Sequence, residues 1–379
     1  MSCHRTAKET LVEREAVTYA QLAARARALA SGLHQLGIGR GAKVGLCLPN
    51  SPELVTSFYG AWLAGATVVP INPATTGSEL RQPLADADAS LLIASSGTAM
   101  TASAVAGELG IPLVLVGDGD GPSPPGAIAF EALLAEDAAR LQVVPIDPRE
   151  EVAVILYTGG TTGTPKGAML THQNVVTNTV QFAEWYAFEP GAETCIGVIP
   201  MFHSGGMSGV MNVPLYAGAT IVAMSRFRPE AVARAVERYR ATRLFGVPSL
   251  FIALLNHDAS RRADYASLRA CRTNAAPLPP SVKAAFDELV GREVLVEGYG
   301  LTETSPLTHA NPLQHAKPGS IGIPVADTDA KIVDLKTGAD LPVGRPGELL
   351  IRGPQVMKGY WNRPEETAAA MAGGVVPYG

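Results

Sequence analysis

At 379 residues, with 47% hydrophobic and 17% charged side chains, the chain is too long for one ordinary core and has apolar material for two or three subdomains. A formal net charge of −5 without any Lys/Arg run argues against nucleic acid or an anionic membrane surface as the main partner. Four scattered cysteines (Cys3, Cys47, Cys195, Cys271) without a C-x-x-C pair, a polar N-terminus, and no apolar stretch longer than FYGAWLAGATVVPI (58–71) predict a cytoplasmic chain with no structural metal, signal peptide or membrane span.

The first predicted element is a helix from Thr18 to Leu36. Thr18 is an N-cap, apolar residues fall at Leu22, Ala26, Leu29 and Leu33, and Gly37 suits the C-terminal turn. KVGLCLP (43–49) reads as a buried strand, SPELVTSFYGAWLAG (51–65) as a helix, and TVVPI (67–71), ASLLIAS (89–95) and PLVLVG (112–117) as further strands. GDGDGPSPPG (117–126) is a loop by composition. VAVILY (152–157) is expected to open a second group of strands, continued by TCIGVIP (194–200), TIVAM (220–224), RLFGVP (243–248) and REVLVEGYG (292–300), with helices over 229–240 and 280–290. After Gly319 come the short strands SIGIPV, DAKIVD and GELLIRG, split by Gly/Pro turns, which suits a small antiparallel or barrel-like piece. The alternation predicts an α/β fold with mostly parallel sheets: a first α/β subdomain over 1–150, a second over 151–318 and a small β subdomain over 319–379.

YTGGTTGTPKG (157–167) directly follows the apolar run VAVIL. Glycines let backbone N–H groups approach an anion, threonine hydroxyls donate, and Lys166 supplies a cation, so the loop is suited to polyphosphate; a solvent-exposed turn is the plain alternative. It is not a Walker A loop, because Pro165 stands where Gly must precede the lysine and Gly167 where Ser or Thr would hold magnesium. The G-x-G-x-x-G dinucleotide turn is absent too.

YTGGTTGTPKGAMLTH (157–172) resembles the phosphate-loop signature of adenylate-forming enzymes: acyl- and aryl-CoA ligases, luciferases and amino-acid adenylation domains. Gly159 stands where that family usually has Ser. Four further stretches resemble family motifs in the same order. PMFHSGGM (200–207) is similar to the acyl-pocket segment and NAAPLPP (274–280) to the segment packed on adenine. EGYGLTETSP (297–306) resembles the family's most informative motif, and GELLIRGPQVMKGYWNRPEET (347–367) the approach to the ribose-binding loop.

The resemblance implies two packed, mostly parallel sheets with flanking helices in αβαβα layers, a small β-barrel-like subdomain, and no mobile C-terminal domain within this chain. It implies ATP, Mg²⁺ and coenzyme A as ligands: a carboxylate attacks the α-phosphate of ATP, and coenzyme A then displaces AMP from the acyl adenylate. Residue by residue, Thr158, Gly159, Gly160, Thr161, Thr162, Gly163, Thr164, Pro165 and Lys166 are implied to cradle the β- and γ-phosphates. Thr302 is implied to donate to the α-phosphate and Glu303 to hold the metal, a hard cation suited to a carboxylate. Tyr299 is implied to stack by the adenine beside Ala275, Ala276 and Pro277, with Glu297 in the same motif and Gly298 and Gly300 allowing close backbone approach. Arg226, in SRFRPE, aligns loosely with a basic position that meets coenzyme A phosphates, the alternative being a surface arginine before a helix. All of this requires Lys166 and Glu303 to share one cleft.

Members that activate amino acids place an Asp after the Phe of the acyl-pocket segment, to pair with the substrate ammonium. Phe202 is followed by His203, so an α-amino acid is disfavoured and His203 becomes a candidate catalytic-site residue. The small residues Ser204, Gly205, Gly206, Ser208 and Gly209 imply space or backbone mobility near the acyl group. A fatty-acid-like substrate comes first and a 4-coumarate-like aryl acid second. A non-catalytic remnant that binds nucleotide or acyl ligand is the reading from a different class. That reading draws on the end of the chain, where the family's T-G-D ribose motif and catalytic lysine are expected to be missing. VVPYG can be encoded GTG GTT CCG TAC GGG, which one base later reads WFRT, as relatives do. A frame change near Gly374 is therefore expected, with slow adenylate formation by the chain as it stands.

Overall fold

The computed structural model describes residues 16–117, 123–136, 138–158, 165–371 and 376–378. In chain order the strands begin with β1 (Lys43–Cys47), β2 (Thr67–Pro70), β3 (Leu91–Ser95), β4 (Leu113–Val116), β5 (Ile128–Ala129), β6 (Val152–Thr158) and β7 (Lys166–Thr171). Next come β8 (Thr194–Gly197), β9 (Thr220–Ala223), β10 (Arg243–Gly246), β11 (Ala270–Thr273), β12 (Leu295–Gly300), β13 (Leu307–Ala310) and β14 (Ile323–Pro324). The last are β15 (Asp329–Val333), β16 (Glu348–Arg352), β17 (Gly359–Tyr360) and β18 (Val376–Tyr378). They form an eight-stranded sheet, β17-β7-β6-β2-β1-β3-β4-β5, a seven-stranded sheet, β14-β13-β12-β11-β10-β8-β9, and a three-stranded antiparallel sheet, β15-β16-β18. The two large sheets are parallel except at one end of each, where β6–β7–β17 and β12–β13–β14 turn antiparallel.

The layers follow from which face each helix buries. The helix Tyr19–Gln35 starts at a capping box in which Thr18 and Gln21 satisfy each other's backbone N–H groups. It packs Leu29 and Leu33 with Phe58 of the helix Pro52–Leu63 against Val44, Leu46 and Val68 of the first sheet. The sheet's other face is covered by Leu80, Leu84, Ala102 and Val105 from the helices Gly77–Asp86 and Ala99–Leu109. The second sheet is covered outside by Val232, Val236, Phe251, Leu254 and Phe286. On its inner side Phe182 of the helix His172–Trp185 and Tyr186, which caps its C-terminus, meet Val296 and Leu307. The order is helix, sheet, helix, sheet, helix, as expected, and each fully withdrawn Leu or Phe contributes about 1.5–3 kcal/mol.

Three strands sit elsewhere than expected. VAVILY does not open the second sheet: β6 lies beside β2 in the first, with Val154 opposite Val68. SIGIPV does not join the small β piece; β14 pairs with β13 at the edge of the second sheet. The small piece is an antiparallel sheet rather than a closed barrel among the described residues, and β17 leaves it to cover β7. Cys47, Cys195 and Cys271 are buried free thiols, while Cys3 lies outside the described residues. No helix among the described residues is long and apolar enough to cross a membrane.

Candidate active site

The phosphate-suited stretch is bracketed by two paired antiparallel strands. β6 and β7 pair up to Thr158 opposite Lys166, and the Thr158 hydroxyl donates to the Lys166 carbonyl at 3.5 Å. Gly159, Gly160, Thr161, Thr162, Gly163 and Thr164 lie outside the described residues. Pro165 and Lys166 bring the chain back. The Lys166 ammonium stands 5.3 Å above the ring of Tyr360, whose hydroxyl donates to Oε1 of Glu303 at 2.7 Å. One aromatic ring therefore joins the base of the loop to the carboxylate and brings Lys166 and Glu303 to the same neighbourhood. Burial, with the Glu303 charge added, pushes the Tyr360 phenol well above its ordinary pKa, so it stays a donor.

Glu303 is held by its backbone. β12 ends in a short turn, Thr302–Thr304, and the Met357 N–H donates to the Glu303 carbonyl at 2.7 Å. Ser305 follows in the left-handed region at φ +72°, a conformation costing about 1–2 kcal/mol for a residue with a side chain. Two bonds offset it: the Ser305 hydroxyl donates to the Gln355 carbonyl at 2.9 Å, and the Ser208 hydroxyl donates to the Ser305 carbonyl at 2.7 Å. Thr302 Oγ1 lies 3.4 Å from Ser204 Oγ, which ties the acyl-pocket segment to the motif. His203 touches solvent at the cleft mouth. Protein atoms crowd it on the other sides, and this desolvation lowers the imidazole below its ordinary pKa.

At the neighbouring edge, register does the assembling. Thr273 of β11 pairs with Glu297 of β12, so Ala275, Ala276 and Pro277 run on beside Gly298 and Tyr299. All three are exposed, and Ala275 is turned outward by φ +69°. The Tyr299 ring is half-buried, edge-on to His309 at 6.1 Å. Burial raises the Glu297 carboxyl, and the Leu278 N–H opposes this by donating to it. Arg226 is exposed on the turn after β9, four strands from β12 in the same sheet.

Two expectations change. Gly298 and Gly300 are small because of protein, before any ligand is considered. A Cβ on Gly300 would lie 1.8 Å from the Pro306 carbonyl oxygen, and one on Gly298 would lie 3.0 Å from Arg272 Nε. Much of the space expected around 204–209 is likewise filled: a Cβ on Gly206 would lie 1.9 Å from the Pro200 carbonyl, and Ser208 is buried. Gly205 alone among these glycines has ordinary clearance, 3.8 Å to Phe245.

Sequence reasoning missed Tyr360 and Asn50. Buried Asn50 donates to the Gly197 and Ile199 carbonyls, each at 2.9 Å, and accepts from the Met201 N–H at 2.8 Å, hanging the acyl-pocket segment from the first sheet. Tyr360 was in view within MKGYWN; only its partner was hidden. As to a metal, no group of three or more His, Cys, Asp or Glu converges among the described residues. A single cleft-facing carboxylate fits Mg²⁺, which commonly takes one or two carboxylates and completes its shell with water and substrate phosphates.

The model of the AMP-binding enzyme family matches residues 2–361. A long-chain-fatty-acid–CoA ligase of Bacillus subtilis is 37% identical over 94% of this chain and 68% of its own length. A 4-coumarate–CoA ligase of Narcissus pseudonarcissus is 35% identical over 93% of this chain and 65% of its own. This chain thus spans about two thirds of the curated relatives it matches. Among solved structures, a long-chain-fatty-acid–CoA ligase of Archaeoglobus fulgidus superposes with a TM-score of 0.86 at 31% identity, covering 96% of this chain and 73% of that one. A benzoate–CoA ligase of Burkholderia xenovorans superposes at 0.87 with 26% identity, covering 96% and 71%. The chain belongs to the AMP-binding enzyme family and is, by family, an acid–thiol ligase.

Proposed function

We propose that the protein is an ATP-dependent acyl-CoA ligase acting in the cytoplasm on an aliphatic acid without an α-amine. The observation that supports this is the pair of contacts by which Tyr360 joins Lys166 to Glu303 and Ser204 meets Thr302, the residue beside Glu303. Lys166 and the hairpin tip 158–166 hold the β- and γ-phosphates, and Thr302 donates to the α-phosphate. Ala275, Ala276, Pro277, Glu297, Gly298, Tyr299 and Gly300 form the adenine side. Glu303 holds Mg²⁺, which when bound neutralises phosphate charge. His203, neutral at pH 7, offers the acid a hydrogen bond but no fixed negative charge for an ammonium. Arg226 meets coenzyme A phosphates as they arrive from solvent.

An aryl acid is the second reading, favoured by the aromatic pair Phe182 and Phe245 behind Gly209. ATP–pyrophosphate exchange tests the whole reading. The expected result is acid-dependent exchange that falls at least tenfold in Glu303→Gln, about 1.4 kcal/mol. Exchange that needs no carboxylic acid, or that ignores the substitution, would overturn the ligase reading.

A further inference from the structure

Arg272 is a cation that packing alone leaves uncompensated. It projects from β11, 4% exposed, and all three of its guanidinium nitrogens lack a hydrogen-bond partner among the described residues. Its guanidinium carbon lies 4.2 Å from the centroid of Phe182, 4.8 Å from Phe245 and 5.3 Å from Tyr186. Register explains the cage: Phe245 of β10 is the cross-strand neighbour of Arg272, so both side chains leave the same face, under the helix His172–Trp185. The Tyr186 hydroxyl is also buried without a partner. Both donors converge on one point, since a Cβ on Gly298 would lie 3.0 Å from Arg272 Nε and 3.2 Å from the Tyr186 hydroxyl.

Nearby Arg243 shows how a buried guanidinium is satisfied within the fold. It binds Glu193 at 2.5 Å and the carbonyls of Tyr186 and Ala187 at 2.9 and 3.0 Å. Arg272 has none of this. Burial brings its pKa down to about 10, so it is still charged at neutral pH. Stacking on rings recovers part of the lost hydration, and an anion would recover the rest.

The space for one exists. Phe182, Tyr186, Gly209, Val210, Phe245 and Arg272 line part of a half-open cavity of about 30 Å³, room for a group the size of a carboxylate. Gly209 and Val210 continue the acyl-pocket segment, and Phe245 reaches towards Gly205, the neighbour of the Ser204 that meets Thr302. One side of the cavity is therefore the continuation of the segment against which the proposed reaction sets the acyl group.

We infer that the acid activated by this protein carries a second carboxylate at its far end, bound by the Arg272 guanidinium and the Tyr186 hydroxyl: an aliphatic dicarboxylic acid. The planar fork of the guanidinium matches a carboxylate two bonds at a time. A monocarboxylic chain reaching the same cavity would set a methyl group against a bare cation. The assignment rests on the ligase reading for which end reacts; the anion site rests on Arg272 and Tyr186.

Calorimetric titration of the 379-residue chain with malonate, succinate, glutarate and adipate, each against the monocarboxylate of equal length, tests it. At least one dicarboxylate should bind ten times or more tighter than its monocarboxylate. Arg272→Met should abolish that preference, Tyr186→Phe should reduce it, and both should leave ATP binding intact. Without ligand, Arg272→Met should melt no lower than the parent, because a buried, uncompensated charge has become an apolar side chain of similar length. Equal or tighter monocarboxylate binding, no acid binding, or a preference that survives Arg272→Met would overturn the inference. A marked fall in melting temperature with no change in acid binding would make Arg272 a purely structural cation, which also overturns it. ATP titration is the separate arm for the ligase reading: dicarboxylate binding without ATP binding sinks that reading and keeps the anion site.

Discussion

Tyr360 serves two charges of opposite sign. Its ring faces the Lys166 ammonium while its hydroxyl fixes one oxygen of Glu303, leaving the other free to turn into the cleft. Tyr360→Phe keeps the ring and removes only the bond to the carboxylate, worth about 1.5–3 kcal/mol for a charged acceptor in a protected site and less in this half-open one. The expected outcome is a folded protein whose Mg²⁺-dependent ATP affinity falls about five- to tenfold, read by titration with and without the metal. An unchanged affinity would show that Glu303 needs no orienting partner. His309 provides a second test. Burial holds its imidazole at about 4, far below the ordinary 6.5, so the folded state prefers it neutral. The unfolded chain then takes up a proton first as pH falls. Stability is full above about pH 6.5 and is lost progressively towards pH 4, by up to about 3 kcal/mol. Urea midpoints across that range should decline, and the decline should flatten in His309→Asn.

At the level of elements, two hairpins carry the chemistry, and each depends on close backbone contact. Gly300→Ala would drive a methyl group into the Pro306 carbonyl, splaying β12 from β13 at the turn that aims Glu303. A loss of about 3 kcal/mol is expected, together with weaker ATP binding, both measurable on the purified variant. Asn50→Ala removes three bonds that hold 197–201 to the first sheet, and a loss of about 2–4 kcal/mol should appear as a lower denaturation midpoint. Elements with local punctuation were legible in advance. The N-cap at Thr18 and the helix over 280–290, observed as Pro280–Val290, were both expected, though not the reciprocal bond from Gln21. β11 escaped notice because ACRT is four residues long with a charge in the middle, which reads as loop until the aromatic cage is known. The sheet to which β6 belongs was equally hidden, because parallel pairing with β2 leaves no turn to read. Thr302, Glu303 and Lys166 could be named from their motifs. Tyr360 and Arg272 acquire their meaning only from neighbours distant in the chain.

On the scale of the whole molecule, the two large sheets share one interior. Val44 and Val154 of the first sheet belong to the same buried cluster as Met207, Val210 and Phe245 of the second half. Neither sheet can lose its inner face without uncovering the other, so both should unfold together. Fluorescence from Trp62 and Trp185, one from each half, should therefore change at the same urea concentration as the far-ultraviolet circular dichroism, and two resolved steps would contradict a shared core. The two residues of β17 also have a use beyond chemistry. They occupy the outer hydrogen-bonding edge of β7, and the Lys358 and Trp361 N–H groups extend that cover to Met169 and Gly167 at 2.8 Å each. Shortened forms of the protein thus have a natural limit. A version stopped upstream of residue 358 would bare the edge of β7 as well as that of β16 and should self-associate more than one stopped just after Trp361, which keeps β7 covered and bares only the short edge of β16 that β18 pairs.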